Sequence, residues 1–199
     1  MPNTTEQELR ERLDLIENMI GEGRRSIESW GWAFVLWGVA YYLAIAWSAW
    51  SHSVWAWPVT ALIAVAVTVV VASLKASNHP GTTLGRAIGS IWIALGVSMF
   101  LLFLALGVSG RLTDQHLFVA VMSAILGLAN GASALILRWK IQFSCAVVWW
   151  VVAVATCFAT DPQSRILFLV AIFLCQVLFG IYSHIAEGQQ RKRRSPIHA

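Results

Sequence analysis

Six long apolar runs constrain the fold of this chain more than any other feature. They lie near residues 30–50, 54–74, 87–108, 116–137, 141–160 and 165–185. Each is about as long as the ~20 residues that an α-helix needs to cross the hydrocarbon core of a bilayer. The connections between the runs are short, so neighbouring helices are antiparallel. The sequence therefore predicts an all-α, polytopic membrane bundle of six transmembrane helices arranged as three hairpins.

The composition is also typical of a membrane protein. Of the 199 residues, 58% are hydrophobic and 12% are charged, whereas charged residues make up about a quarter of a soluble domain. Eleven tryptophans suit the two interfaces of a bilayer, where Trp is enriched. We therefore expect membrane lipids around the bundle. The net charge of +4 comes from cationic loops and one tail, a distribution that indicates no nucleic-acid partner.

The distribution of Lys and Arg predicts how the helices cross the membrane. If all six runs span, twelve of the fourteen Lys and Arg residues lie on one side, and only Arg111 and Arg165 lie on the other. Cytoplasmic loops carry an excess of positive charge in membrane proteins. We therefore expect both termini in the cytoplasm, with residues 186–199 as a basic cytoplasmic tail.

Residues 1–29 precede the bundle of residues 30–185 and predict an amphipathic cytoplasmic helix over 4–28. Its seam repeats in steps of four, three and four, the spacing of a coiled coil, and consists of Leu9, Leu13, Ile16 and Ile20. Gly21 and Gly23 are expected to weaken the helix near the membrane. The segment is acidic, whereas helices that bind anionic lipid are usually basic. We therefore expect residues 4–28 to contact protein: a second copy, the cytoplasmic loops, the basic tail or another protein.

Small residues are expected to mark the contacts between transmembrane helices. Gly127 and Gly131 form a G-x-x-x-G pair on one face of the fourth run, a pattern that allows close helix approach in a bilayer. Trp150, by contrast, is expected to face lipid or a second subunit. The glycines assigned to helix packing are Gly38, Gly96, Gly127, Gly131 and Gly180.

A second group of residues lies near the predicted bilayer midplane or offers an aromatic face there. Its members are Tyr42, Trp92, Asn130, Trp149 and Gln176. In one interpretation these side chains form hydrogen bonds between helices and hold the bundle together. In the other they line a small uncharged cavity, whose aromatic faces suit an apolar or cationic guest.

The chain carries no pattern of a catalytic site. The predicted spans have no Asp, Glu, Lys or Arg at mid-depth, where such groups would mark proton relays or acid–base chemistry. Cys145, Cys157 and Cys175 lie in apolar runs and are expected to be small buried hydrophobes. The histidines are scattered near the two ends of the spans and are expected to be ordinary loop residues; the alternative is an outer metal site formed by His52, His116 and Asp114. No enzyme activity, metal or cofactor is expected.

Two stretches resemble a broad group of small, uncharacterised bacterial membrane proteins. They read LIENMIGEGRRSIESWGWAFVLWGVAYYLA (15–44) and LGLANGASALILRWKIQFSCAVVWW (126–150). In that group a short charged helix leads into the first span, and a G-x-x-x-G helix ends in a basic turn before a Trp-rich span. The resemblance implies the inner membrane of a bacterium and no particular activity.

Two functions from different classes follow from these patterns. The first is a non-enzymatic interaction, scaffold or sensor-type membrane protein that forms a homo-oligomer, as the coiled-coil seam and the charge-free core indicate. The alternative is a carrier or transporter of a small molecule or lipid, with its guest in the uncharged midplane cavity. A cavity among the midplane residues would favour the second function.

Overall fold

The computed structural model describes residues 4–28, 30–51, 53, 55–76, 83–109 and 114–194, and throughout these ranges the regular structure is helical. The helices are α1 (Thr4–Glu28), α2 (Gly31–Ser51), α3 (Ala56–Ala76), α4 (Thr83–Val108), α5 (Gln115–Leu137) and α6 (Lys140–Thr156). A last rod comprises α7 (Asp161–Ile172), a π-helical segment (Phe173–Leu178) and α8 (Phe179–Arg194).

Within the described residues, five helical stretches are long and apolar enough to cross a membrane. They are Gly31–Ser51, Ala56–Leu74, Leu84–Leu106, Gln115–Leu137 and Asp161–Ala186. The prediction of an all-helical protein suited to a membrane is thus confirmed. The remaining apolar helix, α6, has 17 residues and is shorter than these five.

The helix ends differ from the predicted bounds where local hydrogen bonds override hydropathy. The last rod begins at Asp161 rather than near residue 165, because the Thr160 N–H donates to Gln163 Oε1 at 3.0 Å and so stabilises an earlier start. It also continues to Arg194, so most of the expected basic tail is helical. Conversely, α6 ends at Thr156, four residues before the predicted end.

The turn between α5 and α6 contains two residues, Arg138 and Trp139. Arg138 adopts the left-handed conformation, with φ 49° and ψ 40°, and the Trp139 N–H donates to Ala134 O at 2.9 Å. This turn reverses the chain at once, so α5 and α6 run antiparallel. We call the end of the bundle that holds this turn the turn end, and the opposite end, where α5 begins, the His116 end.

The helix α5 is the centre of the bundle. Of its span 56% is buried, against 6% for α3 and 11% for α4. It packs most extensively against α6 and also contacts α1, α4 and α7. The two helices of each predicted hairpin are in contact: α2 with α3, α4 with α5, and α6 with α7. The largest helix interface, between α5 and α6, joins helices of two different hairpins.

Aromatic rings connect the outlying helices α3 and α4 to the core. Phe118 of α5 packs against Trp57 of α3 at a centroid distance of 4.9 Å and against Phe103 of α4 at 4.8 Å. Nearer the turn end, Phe34 of α2 meets Trp92 of α4 edge-on at 5.2 Å. Apart from such anchors, α3 and α4 expose their apolar side chains, as expected for helices that face lipid.

Candidate functional site

The first half of α1 exposes its apolar seam. Leu9 is 60% exposed, Leu13 is 54% exposed and Ile16 is 52% exposed. Ile20, one turn further along, is half-buried. Because large exposed hydrophobics along one helix face mark interaction surfaces, the seam is the first candidate site.

The second half of α1 is anchored at the turn end. Gly23 is buried, and a Cβ at this position would lie 2.8 Å from Leu137 Cδ2 and 2.9 Å from Leu84 Cγ. At about 100° per residue, Gly23 lies within a quarter turn of the centre of the seam. Gly23 therefore permits close packing against α4 and α5, in addition to the expected local weakening. The seam extends away from this contact.

Three of the five residues predicted at or beside the midplane are buried. Asn130 and Trp149 are fully buried, and Gln176 of the π-helical segment is 3% exposed, whereas Tyr42 and Trp92 are half-buried. The Tyr42 hydroxyl donates to Leu169 O at 2.8 Å, which links α2 to α7.

Two of the five residues form hydrogen bonds to neighbouring helices and one forms a bond within its own. Trp92 Nε1 donates to Ser133 Oγ at 3.2 Å and joins α4 to α5. Asn130 Nδ2 instead donates to Leu126 O of its own helix at 2.9 Å. Asn130 Oδ1 and Trp149 Nε1 have no hydrogen-bond partner among the described residues.

An apolar groove of about 420 Å³ lies between α5 and α6 near the His116 end and opens to the outside. Its walls include Ala120, Ala124 and Ala153, and Phe158 stands at its rim. None of the five midplane residues lines this groove. Cys157, predicted to be buried, is an exposed part of its wall.

Gly31 of α2 and Gly180 of α8 lie where two helix backbones approach each other closely. A Cβ on Gly31 would lie 2.7 Å from Gly180 O and 2.9 Å from His184 N. About two turns further along α2, a Cβ on Gly38 would lie 3.0 Å from Gln176 Cβ. Gly38 and Gly180 thus lie in tight helix contacts, whereas no described residue comes within 4 Å of such a Cβ on Gly96.

The G-x-x-x-G pair contacts a side chain rather than a helix backbone. The indole of Trp150 lies over Gly127 and Gly131, and a Cβ on Gly131 would lie 2.8 Å from Trp150 Cη2. The expectation that Trp150 faces only lipid or a second subunit is therefore wrong, because one side of its ring covers α5. The remaining 37% of the residue is exposed.

The sequence failed to identify a polar contact at the His116 end. His116 Nε2 lies 2.6 Å from Asp161 Oδ1 of α7, and His116 Nδ1 lies 3.1 Å from Thr156 O of α6. Asp114 caps α5 by accepting from the His116 N–H at 2.8 Å. The signal that could have indicated this contact is the acid–x–His pattern at a helix start, followed by an acid at the start of α7.

Both atoms that face the His116 ring nitrogens are oxygens, one of a backbone carbonyl and one of a carboxylate. Each of these oxygens can accept a hydrogen bond from a ring N–H. Arg165 of α7 lies nearby, and its Nε donates to Gln115 Oε1 at 2.9 Å. His116 therefore joins α5, α6 and α7 through two polar contacts.

The described residues contain no group of three His, Cys, Asp or Glu side chains placed to hold a metal ion. His52 lies outside the described residues. Cys175 Sγ donates to Cys145 O at 3.6 Å, which links the π-helical segment to α6. Both of these cysteines are buried, as predicted.

Over the part of the chain that the structure describes, the fold and the candidate sites define an all-helical protein with five helices suited to a membrane and an amphipathic helix anchored at one end of the bundle. Comparison with protein-family models, with curated proteins and with solved structures finds no match to this chain.

Proposed function

We propose that this chain is a non-enzymatic interaction protein of the bacterial inner membrane that assembles with copies of itself through α1. The observation that carries the proposal is the state of the α1 seam. Leu9, Leu13 and Ile16 are more than half exposed, although α1 is anchored at Gly23. Burying each such side chain contributes roughly 1.5–3 kcal/mol, so a partner that covers the seam would stabilise the helix.

The proposed topology has six spans, with α6 as the short one. Its 17 residues extend about 26 Å at ~1.5 Å per residue. The Thr156 carbonyl at its end contacts His116 in the first turn of α5, and its start directly follows the α5–α6 turn. Since α6 extends alongside nearly the whole of α5, a membrane that α5 crosses is crossed by α6 too.

Six spans place both termini on the same side of the membrane. That side carries twelve of the fourteen Lys and Arg residues, which supports a cytoplasmic location by the positive-inside rule. The helix α1 then lies in water, where exposed leucines favour association. Its acidic character argues against adsorption to anionic lipid.

The test introduces charge into the seam. In the variant Leu13→Asp/Ile16→Asp, two carboxylates would occupy the proposed contact, and we expect the oligomer to dissociate. Asn18→Asp is the matched control, since Asn18 is exposed on the opposite face of α1 and also gains a carboxylate. The measurement is native mass spectrometry of the protein released from mild detergent.

An oligomer that loses subunits in the seam variant but not in the control would support the proposal. An oligomer that persists in both variants would contradict it, because the contact would then lie elsewhere. A wild-type protein that is monomeric at all concentrations would contradict self-association itself. Thermal unfolding of each variant separates a lost contact from a lost fold.

The alternative function, a carrier for a small molecule or lipid, is favoured by one observation. Asn130 Oδ1 and Trp149 Nε1 are buried and have no partner among the described residues, and leaving a polar group unpaired costs about 1–3 kcal/mol. A guest with polar atoms would satisfy both. A small molecule that stays bound to the wild-type protein in native mass spectra but not to Trp149→Phe would support the carrier function. This change removes only the indole N–H and part of the ring.

A further inference from the structure

We propose that the α1 helices of two subunits pair as a short parallel coiled coil, in the register that places Arg12 opposite Glu17 of the partner subunit. The inference rests on the proposed function, since it requires that α1 is the self-association element. It adds the orientation of the two helices, their register and the charged residues that select the partner.

The seam sets the register. Leu9 and Ile16 occupy the d positions of consecutive heptads, and Leu13 and Ile20 occupy the a positions. Leu9, Leu13 and Ile16 are exposed, so three layers of the coiled coil are available without any change in the fold. Ile20 is half-buried beside the anchored end of α1 and closes the seam towards the membrane.

The flanking charges complement each other in the parallel arrangement. In this register Arg12 occupies a g position and Glu17 the following e position, five residues later. Parallel coiled coils bring a g residue of one helix to the next e residue of the other. Two symmetric pairs of Arg12 with Glu17 of the partner subunit therefore border the seam, one on each side.

Arg12 is free to change partner. Its present ion pair, with Glu8 of the same helix, has an N–O distance of 3.4 Å, and the two side chains are 76% and 67% exposed. Such exposed pairs contribute little to stability. Replacing Glu8 by the partner's Glu17 as the ion-pair partner of Arg12 thus costs little free energy. The new pair of Arg12 with the partner's Glu17 would lie beside a buried seam.

The membrane favours the parallel orientation. Both copies of α1 are anchored at Gly23 against Leu84 and Leu137, at the same end of their bundles. Two bundles side by side in one bilayer present these anchored ends at the same level, so the free halves extend together. Confinement to one membrane also raises the effective concentration of the two helices, which compensates for the small number of layers.

An antiparallel pair makes a different prediction for two neighbouring arginines. Antiparallel helices bring e residues together, which would place Arg10 rather than Arg12 opposite Glu17 of the partner subunit. Arg10→Glu and Arg12→Glu make the same charge change two residues apart on exposed positions of α1. They therefore form a matched pair that separates the two orientations.

For the parallel pair, we expect Arg12→Glu to weaken dimerisation about tenfold, through repulsion at two sites, and Arg10→Glu to leave it nearly unchanged. The variant Arg12→Glu/Glu17→Arg should restore the wild-type dissociation constant. Glu8→Gln is the control for the lost internal pair and should have no effect. Dissociation constants come from dilution of full-length protein in detergent micelles or bilayers.

A weaker dimer in Arg10→Glu but not in Arg12→Glu would overturn the parallel register and leave self-association through α1 intact. If neither charge reversal changes the dissociation constant while Leu13→Asp/Ile16→Asp dissociates the oligomer, the proposed pairing of Arg12 with Glu17 is wrong and the seam contact remains. If the seam variant also leaves the oligomer intact, the proposed function itself fails. These outcomes keep the two proposals distinguishable.

A disulfide provides a test that does not depend on charge. With Cys157→Ser to remove the exposed native thiol, Leu9→Cys should form an intersubunit disulfide under mild oxidation, because two d positions face each other only in a parallel pair. Asn18→Cys, on the opposite face, is the control and should remain monomeric on a non-reducing gel. Absence of the Leu9→Cys disulfide in a protein that is still oligomeric would overturn the parallel orientation.

Discussion

The hydroxyl of Tyr42 donates a hydrogen bond to the carbonyl of Leu169 at 2.8 Å and links α2 to α7. The same carbonyl accepts from the N–H of Phe173, the first residue of the π-helical segment. Tyr42 thus stabilises the rod immediately before its helical period changes. The π-helical segment itself packs against Gly38 through Gln176, so α2 contacts the last rod at two places.

Removal of the Tyr42 hydroxyl should loosen this contact. We expect Tyr42→Phe to lower the free energy of unfolding by about 0.6–1.5 kcal/mol, the range for such bonds in membrane and soluble proteins. At about 2–4 °C per kcal/mol for a chain of this size, the unfolding midpoint in detergent should fall by roughly 1–6 °C. Tyr182→Phe, at an exposed position of α8, is the control, and an equal loss in both variants would contradict the assignment.

The crossing of α2 and α8 should tolerate no side chain at Gly31. A Cβ there would lie 2.7 Å from a backbone oxygen of Gly180, and a backbone atom cannot rotate away as a side chain does. Gly31→Val should therefore cost about 1–3 kcal/mol, as overpacking does. Gly96→Val is the matched change at a position where no atom of the described residues lies within 4 Å of the added Cβ, and it should leave the thermal midpoint of the subunit unchanged. Equal destabilisation would show that Gly96 also makes a contact.

The packing of Trp150 on Gly127 should appear as an energetic coupling. A Cβ on Gly127 would lie 2.6 Å from Trp150 Nε1, so Gly127→Leu displaces the indole. We expect the double variant Gly127→Leu/Trp150→Ala to be more stable than the sum of the two single changes, by about 0.5–3 kcal/mol in a double-mutant cycle. The pair Gly96→Leu with Trp150→Ala should be additive. Additivity in both cycles would contradict the contact.

The contact between His116 and Asp161 should contribute modestly to stability. His116 Nε2 lies 2.6 Å from Asp161 Oδ1, and Asp161→Asn removes the carboxylate of this pair. Because the Asp161 side chain is 68% exposed, we expect the free energy of unfolding to fall by only about 0.2–1 kcal/mol. Thermal unfolding of the two proteins in one buffer is the measurement, and a midpoint that does not fall in Asp161→Asn would contradict a stabilising contact.

Much of the bundle could be predicted from local properties of the sequence. The bounds of α1, the positions of the apolar helices and the burial of Asn130, Trp149 and Gln176 agree with the sequence pattern. Hydropathy and helical periodicity depend only on nearby residues, so they can be assessed without knowledge of the neighbours. The contact of His116 with α6 and α7 could not be found in this way, because its partners lie 40 and 45 residues away in the sequence.

The sequence by itself determined an all-helical chain with several helices suited to a membrane and an apolar seam on its first helix, since each follows from the order of side chains along one helix. Only the tertiary structure decided what each face meets. It brought Gly31 against Gly180, covered Gly127 with Trp150 and left Gly96 open. The physical reason is that a glycine merely permits close approach. Which atoms approach depends on the relative positions of helices that are far apart in the chain.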